Sequence, residues 1–94
     1  MKFLGVNTIE VNVYNDSGHS WAAVKRSVLS EIGILHKITS YSYQKGGTVY
    51  LEEDVDFPLF ATEMSRYHYF IMHKHIDHGD RSVIRSYSRF SSNQ

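Results

Sequence analysis

The chain has 94 residues, with ten acidic and ten basic side chains, six histidines and no cysteine. That length supports one modest core, and the lack of cysteine excludes disulfides, cysteine-held zinc and thiol chemistry. Zero formal net charge argues against nucleic acid held by a basic field, and no run is apolar for long enough to be a signal peptide or a membrane span, so a cytoplasmic protein without membrane contact is expected.

In chain order, residues 3–14 read as a strand, because Ile9, Val11 and Val13 alternate with Glu10, Asn12 and Tyr14. Asn15-Asp16-Ser17-Gly18 is turn chemistry. The spacing then predicts a helix over 20–32, with Ser20 as its N-cap. Trp21, Val24, Val28, Leu29 and Ile32 form its apolar face and Gly33 its terminator. Thr39–Tyr43 and Thr48–Leu51 are rich in strand formers and flank Gly46-Gly47, which predicts a hairpin. A second helix is predicted over 57–67, capped by Asp56, with Pro58 in its first turn and a stripe of Phe57, Phe60, Met64 and Tyr67. A strand follows over 68–73, then a turn at 77–80 and a short strand over 82–87. Residues 91–94 read as a frayed tail behind one domain spanning 1–90. This order predicts an α+β, ferredoxin-like βαββαβ fold. Its sheet is mainly antiparallel, with both helices on one face and an extra C-terminal strand.

His73-Lys74-His75-Ile76-Asp77-His78 is the densest cluster of potential metal ligands. On a strand, His73 and His75 share one side with Tyr69 and Ile71. With His78 or Asp80 they offer a set for Zn²⁺, Ni²⁺ or Mn²⁺, and Glu52 or Glu53 could supply a general base. The competing reading is solvated imidazoles without a common ligand. His19, at the mouth of the first helix, reads as a capping or turn residue; His36 and His68 carry no motif.

Charge is segregated. Glu52, Glu53, Asp54 and Asp56 form an acidic run, while Arg81, Arg85 and Arg89 occupy a C-terminal stretch without acids. The acidic run is a candidate contact surface or a site for Mg²⁺ or Ca²⁺; helix capping and solubility are its plain role. The arginines share one face if their segment is a strand. Tyr41, Tyr43 and Tyr50 depend on hairpin register. A two-residue turn at Gly46-Gly47 pairs Tyr43 with Tyr50 and leaves an open aromatic platform; a three-residue turn sends Tyr41 and Tyr43 into the core. An open platform would suit base stacking in single-stranded nucleic acid.

The series Gly18-His19-x-Trp21, Gly33-Ile34, Tyr41-Ser42-Tyr43 and Tyr50-Leu51-Glu52-Glu53-Asp54-x-Asp56 resembles a family of small uncharacterised proteins from bacterial, plasmid and bacteriophage genomes. The resemblance covers roughly residues 18–60. It implies a cysteine between the two aspartates, where this chain has Val55, and so no thiol role there. It also implies a phage or mobile-element accessory protein, acting in the host cytoplasm on a host protein or a small signalling molecule.

The expected function is therefore that of a small binding protein, a regulator or inhibitor acting by contact rather than an enzyme. The expected working form is a homodimer or a heteromeric complex. The candidate contact residues are Glu52, Glu53, Asp54, Asp56, Tyr41, Tyr43, Tyr50, Arg81, Arg85 and Arg89. No cofactor is expected. The alternatives are a transition-metal ion on His73, His75 and His78, in a metal-binding protein or metal-dependent hydrolase, and nucleic-acid stacking on the tyrosines.

Overall fold

Alternation of apolar and polar residues builds the central strand of the molecule. A computed structural model describes residues 1–93. In it, Thr8–Asn15 forms β2, with Ile9, Val11 and Val13 buried on one side. The sequence places residues 3–14 in one strand, but the chain reverses at residues 4–7. Lys2–Phe3, β1, folds back antiparallel, with Lys2 opposite Glu10 and Phe3 opposite Ile9.

The first predicted helix is mostly strand. Ser20–Lys25 is β3, paired with β2 across the Asn15–Ser20 turn, and the helix α1 is only Arg26–Glu31. Trp21, Ala22, Ala23 and Val24 are all buried. A strand covered on both faces presents a continuous apolar run, which a helical stripe mimics over one turn. Ser20 caps nothing; its Oγ donates to Asn15 Oδ1 at 2.5 Å. Gly33 does end the helix. Its φ is +80°, Gly33 N donates to Ser30 O and Ile34 N to Leu29 O, which is the Schellman pattern.

The hairpin forms with the two-residue turn. Tyr43–Lys45 (β4) and Thr48–Glu52 (β5) pair with Tyr43 opposite Tyr50 and Lys45 opposite Thr48. Residues 39–42 are not strand. Thr39 and Ser42 instead bond the carboxylate of Asp56, from the start of the second helix, so side chain–backbone bonds replace a ladder there. That helix, α2, runs Asp56–Arg66. Asp56 is not its cap: Glu52 Oε1 accepts from the N–H groups of Val55 and Asp56, and Glu52 Oε2 from Asp54 N at 2.8 Å. α2 ends in a second Schellman pattern, with Tyr69 N bonded to Met64 O and His68 N to Ser65 O. Here His68 occupies the left-handed position, φ +63°.

Phe70–Asp77, β6, lies parallel to β2 along all eight of its residues, from Thr8 opposite Phe70 to Asn15 opposite Asp77. It takes one whole edge of β2, so β1 and β3 share the other. From β3 the sheet continues through β5 and β4 to Ser88–Arg89, β7. The predicted strand over 82–87 is instead a 3-10 turn, Val83–Ser86, capped when Ser82 Oγ accepts from Ile84 N. The fold is an open, mainly antiparallel α+β sheet. Its strand order departs from the ferredoxin-like one, because β2 and β3 form a hairpin where that order places a helix.

The sheet has two unlike faces. Ile9, Val11, Val13, Ala22, Val24, Val49 and Leu51 meet Leu29 of α1 and Phe60 and Met64 of α2 in the main core, so both helices cover one face, as predicted. On the other face Trp21 and Tyr43 pack with Ile84 of the C-terminal segment, flanked by Tyr14, Tyr50 and Tyr87. At the start of the predicted tail, Arg26 Nη2 donates to the carbonyls of Ser91 and Ser92, each at 2.9 Å. The end of the predicted tail, Gln94, lies outside the described residues. No helix among the described residues is long and apolar enough to cross a membrane.

Candidate functional site

The second face of the sheet holds a cavity of about 420 Å³, lined from four separate stretches of chain: His19 and Trp21, Tyr41 and Tyr43, Glu52, Asp54 and Val55, then Arg85 and Arg89. The strands explain the convergence. Side chains alternate across a strand, and register sets Trp21 opposite Glu52 and Tyr43 opposite Arg89; Trp21 and Tyr43 pack on the face away from the main core, while the Glu52 carboxylate reaches the first turn of α2. The indole of Trp21 and the ring of Tyr43 meet edge to face, 6.1 Å apart at 75°, and both are nearly covered, at 3% and 8% exposure.

Each ring carries a guanidinium. Arg85 lies 5.1 Å from the indole centroid and Arg89 4.5 Å from that of Tyr43, within cation–π range. Arg85 is fixed from behind by Asp16. Asp16 Oδ2 accepts from Arg85 Nε at 2.6 Å and from Ser82 N at 2.9 Å; Oδ1 accepts from Arg85 Nη2, Gly18 N and His19 N, each at 3.0 Å. Five donors converge on one carboxylate whose side chain is fully covered. The Arg85 guanidinium, and then the Ser82 N–H, hold the Asp16 carboxyl well below the usual carboxylate range, while Asp16 raises Arg85 above its ordinary value. The turn residue Asp16 thus locks the β2–β3 connection to the C-terminal segment and orients one wall of the cavity. Gly18 belongs to the same arrangement, since a Cβ there would lie 3.0 Å from Arg85 Nη2.

Arg89 is held more lightly. Its Nη1 donates to the carbonyls of Ser40 and Tyr41, both at 3.3 Å, and it has no carboxylate partner among the described residues. Asp54 is its counterpart of opposite sign. It is exposed, and its carboxylate accepts no hydrogen bond and joins no ion pair among the described residues. Glu53 pairs with His19, Nδ1 to Oε1 at 3.1 Å, beside the cavity. Tyr41, 65% exposed, and Val55, 49% exposed, form an aromatic and an apolar rim.

Six of the ten expected contact residues, Tyr41, Tyr43, Glu52, Asp54, Arg85 and Arg89, therefore line one cavity. The acidic run and the arginine stretch meet within a single chain. Four contact residues do not line it. Asp56 is fully buried and structural, holding Thr39 and Ser42. Tyr50 is half-buried between Tyr14 and Tyr87, where burial and then its phenol neighbours raise its pKa. Glu53 lies beside the cavity, paired with the lining residue His19, and Arg81 is exposed elsewhere. The common strand face expected for Arg81, Arg85 and Arg89 does not form, because Arg85 lies in the 3-10 turn and only Arg89 in a strand. The expected tyrosine pairing is present, but the open platform is not: Ile84 and Tyr87 cover it.

The histidines divide. His73 and His75 face the helix side of β6, with ring centroids 6.1 Å apart, and His73 packs edge-on against Phe57. His78 lies on the other face, 4.5 Å from the Tyr14 ring, with Nδ1 2.6 Å from Ser82 Oγ. Among the described residues no group of three or more His, Asp or Glu side chains is placed to hold a metal ion. Sequence reasoning missed Trp21 and His19 as site residues, having assigned both to a helix start. The signal for Trp21 is the four-residue apolar run from Trp21 to Val24, which marks a strand covered on both faces; no local pattern marks His19.

No family model matches the chain, and no curated protein and no solved structure shows significant similarity to it.

Proposed function

We propose that the protein is a small binding module that works by contact, taking a group from its partner into the cavity floored by Trp21 and Tyr43. The observation that carries this reading is the pair of Arg–aromatic stacks at the cavity wall, with Arg85 fixed through Asp16. A preorganised guanidinium beside aromatic surface is the composition of binding hot spots, where little freedom is lost on association. The partner is a host protein or a small signalling molecule, and the role is that of a regulator or inhibitor in the host cytoplasm. Assignment to a phage or mobile element rests on the sequence resemblance over residues 18–60, of which Tyr50-Leu51-Glu52-Glu53-Asp54-x-Asp56 is the most specific part. The working form is a homodimer or a heteromeric complex. Its support is β6, whose outer edge has no strand partner among the described residues and which exposes Phe70 and Met72.

The chain has a single tryptophan, Trp21, so the cavity has its own reporter. Lysate fractions should shift Trp21 emission in the wild type and not in Arg89→Ala. A fraction that binds both proteins equally, without moving Trp21 emission, would refute the cavity as the contact site.

A further inference from the structure

Deepening that reading, on which it rests, we infer that the cavity binds a free nucleoside phosphate, with guanine as the preferred base. The lining is bipolar. The C-terminal segment brings Arg85 and Arg89, and the loop after β5 brings Asp54. A purely anionic ligand leaves Asp54 opposed, and a purely cationic one leaves the arginines opposed. A ligand that suits both carries an anionic group at one end and hydrogen-bond donors at the other, joined by a flat surface that rests on aromatic and guanidinium planes.

Nucleotides have that construction. Arg89 has no carboxylate partner among the described residues and makes only two long bonds to carbonyls, so its guanidinium fork is suited to meet phosphate. Arg85 spends Nε and Nη2 on Asp16, which fixes the guanidinium at the cavity wall and leaves Nη1 as a second donor for the phosphate. Tyr41 offers an exposed ring for the base, and single bases are commonly held by such stacking together with hydrogen bonds to their Watson–Crick edge. On that edge guanine shows adjacent N–H donors, which the two oxygens of one carboxylate accept together; adenine shows an acceptor in that place and would face Asp54 unfavourably. A volume of about 420 Å³ lies within the range of small-molecule sites. Zero net charge and the absence of a basic track favour a free nucleotide over a strand end.

Isothermal titration calorimetry on the full chain with GMP, AMP, guanosine and inorganic phosphate tests this, with Trp21 emission locating the event. GMP should bind at least tenfold more tightly than AMP or phosphate. Arg89→Ala should weaken GMP at least tenfold and leave guanosine unchanged, and Asp54→Asn should erase the preference for GMP over AMP. Both positions are exposed, and unchanged thermal melts would verify folding; Arg89→Lys, which keeps charge but loses the fork, is the backup. Equal binding of phosphate alone, or an Arg89→Ala affinity within twofold of wild type, overturns the proposal. Affinity that climbs with the length of a guanine-ended oligoribonucleotide overturns it in favour of a nucleic acid. If GMP fails while a lysate fraction still shifts Trp21 only when Arg89 is present, the nucleotide class falls and the binding-module reading stands. If neither happens, both fall.

Discussion

Replacing Asp56 by alanine should remove a large share of the stability of this domain. The carboxylate is fully buried. It accepts from Thr39 Oγ1 at 2.7 Å, Ser42 Oγ at 2.5 Å and Thr39 N at 3.1 Å. Hydrogen bonds to a charged acceptor contribute about 1.5–3 kcal/mol each, and deleting the acceptor strands its donors. Two of these donors are hydroxyls that can turn toward other acceptors, and removing a buried charge recovers some desolvation cost. The net loss should be about 3–4 kcal/mol. A domain of this size is typically stable by roughly 5–14 kcal/mol, so the variant should stay folded but melt about 15–25 °C lower. Urea unfolding followed by Trp21 emission measures it, with an unchanged m-value showing that only stability moved. Asp56→Asn should lose less, and Asp56→Ala combined with Ser42→Ala should lose less than the sum of the two. A loss below about 1 kcal/mol would refute the claim that this carboxylate organises residues 39–42.

Further outcomes are expected elsewhere. Leu29→Ala should cost about 3 kcal/mol because Leu29 is fully buried, while half-buried Val28→Ala should cost about 1 kcal/mol; the reverse order in urea unfolding would put the wrong face of α1 inward. His68→Gly should stabilise by about 0.5–1 kcal/mol by relieving a positive φ, read as a higher melting temperature. Asp16 has a depressed folded pKa, so its stabilisation is present above its unfolded pKa of about 3.9 and is lost as pH falls toward the folded value; the acid limb of a stability–pH curve should flatten below about pH 4 in Asp16→Asn. His78→Ala should leave zinc affinity unchanged in calorimetry, since His78 lies on the opposite sheet face from His73 and His75.

What the sequence disclosed, and what it hid, follows from where the information sits. Alternation marked β2, and Gly46-Gly47 fixed the Tyr43–Tyr50 register, because each is written in neighbouring residues. The stretch from Ser20 to Lys25 misled because Trp21 and Val24 satisfy helical spacing, while the decisive fact, a second covered face, depends on Ile84 more than sixty residues away. Residues 39–42 have strand composition, but the buried Asp56 claims their polar groups. The acidic run and the arginine stretch were visible as separate segments. That they meet in one cavity depends on β7 pairing with β4 and on Asp16 drawing in Arg85, contacts 44 to 69 residues apart in sequence for which no local pattern codes. Composition likewise grouped His73, His75 and His78, but the end of β6 sends His78 to the other face.

The most direct test of the cavity as the working site is a two-dimensional NMR titration of isotope-labelled protein with GMP, following the single indole N–H and the arginine Nε–H resonances. The account predicts saturable shifts at Trp21, Arg85 and Arg89, with little change along β6. Shifts confined to β6, or no shift at Trp21 while ligand binds, would contradict it.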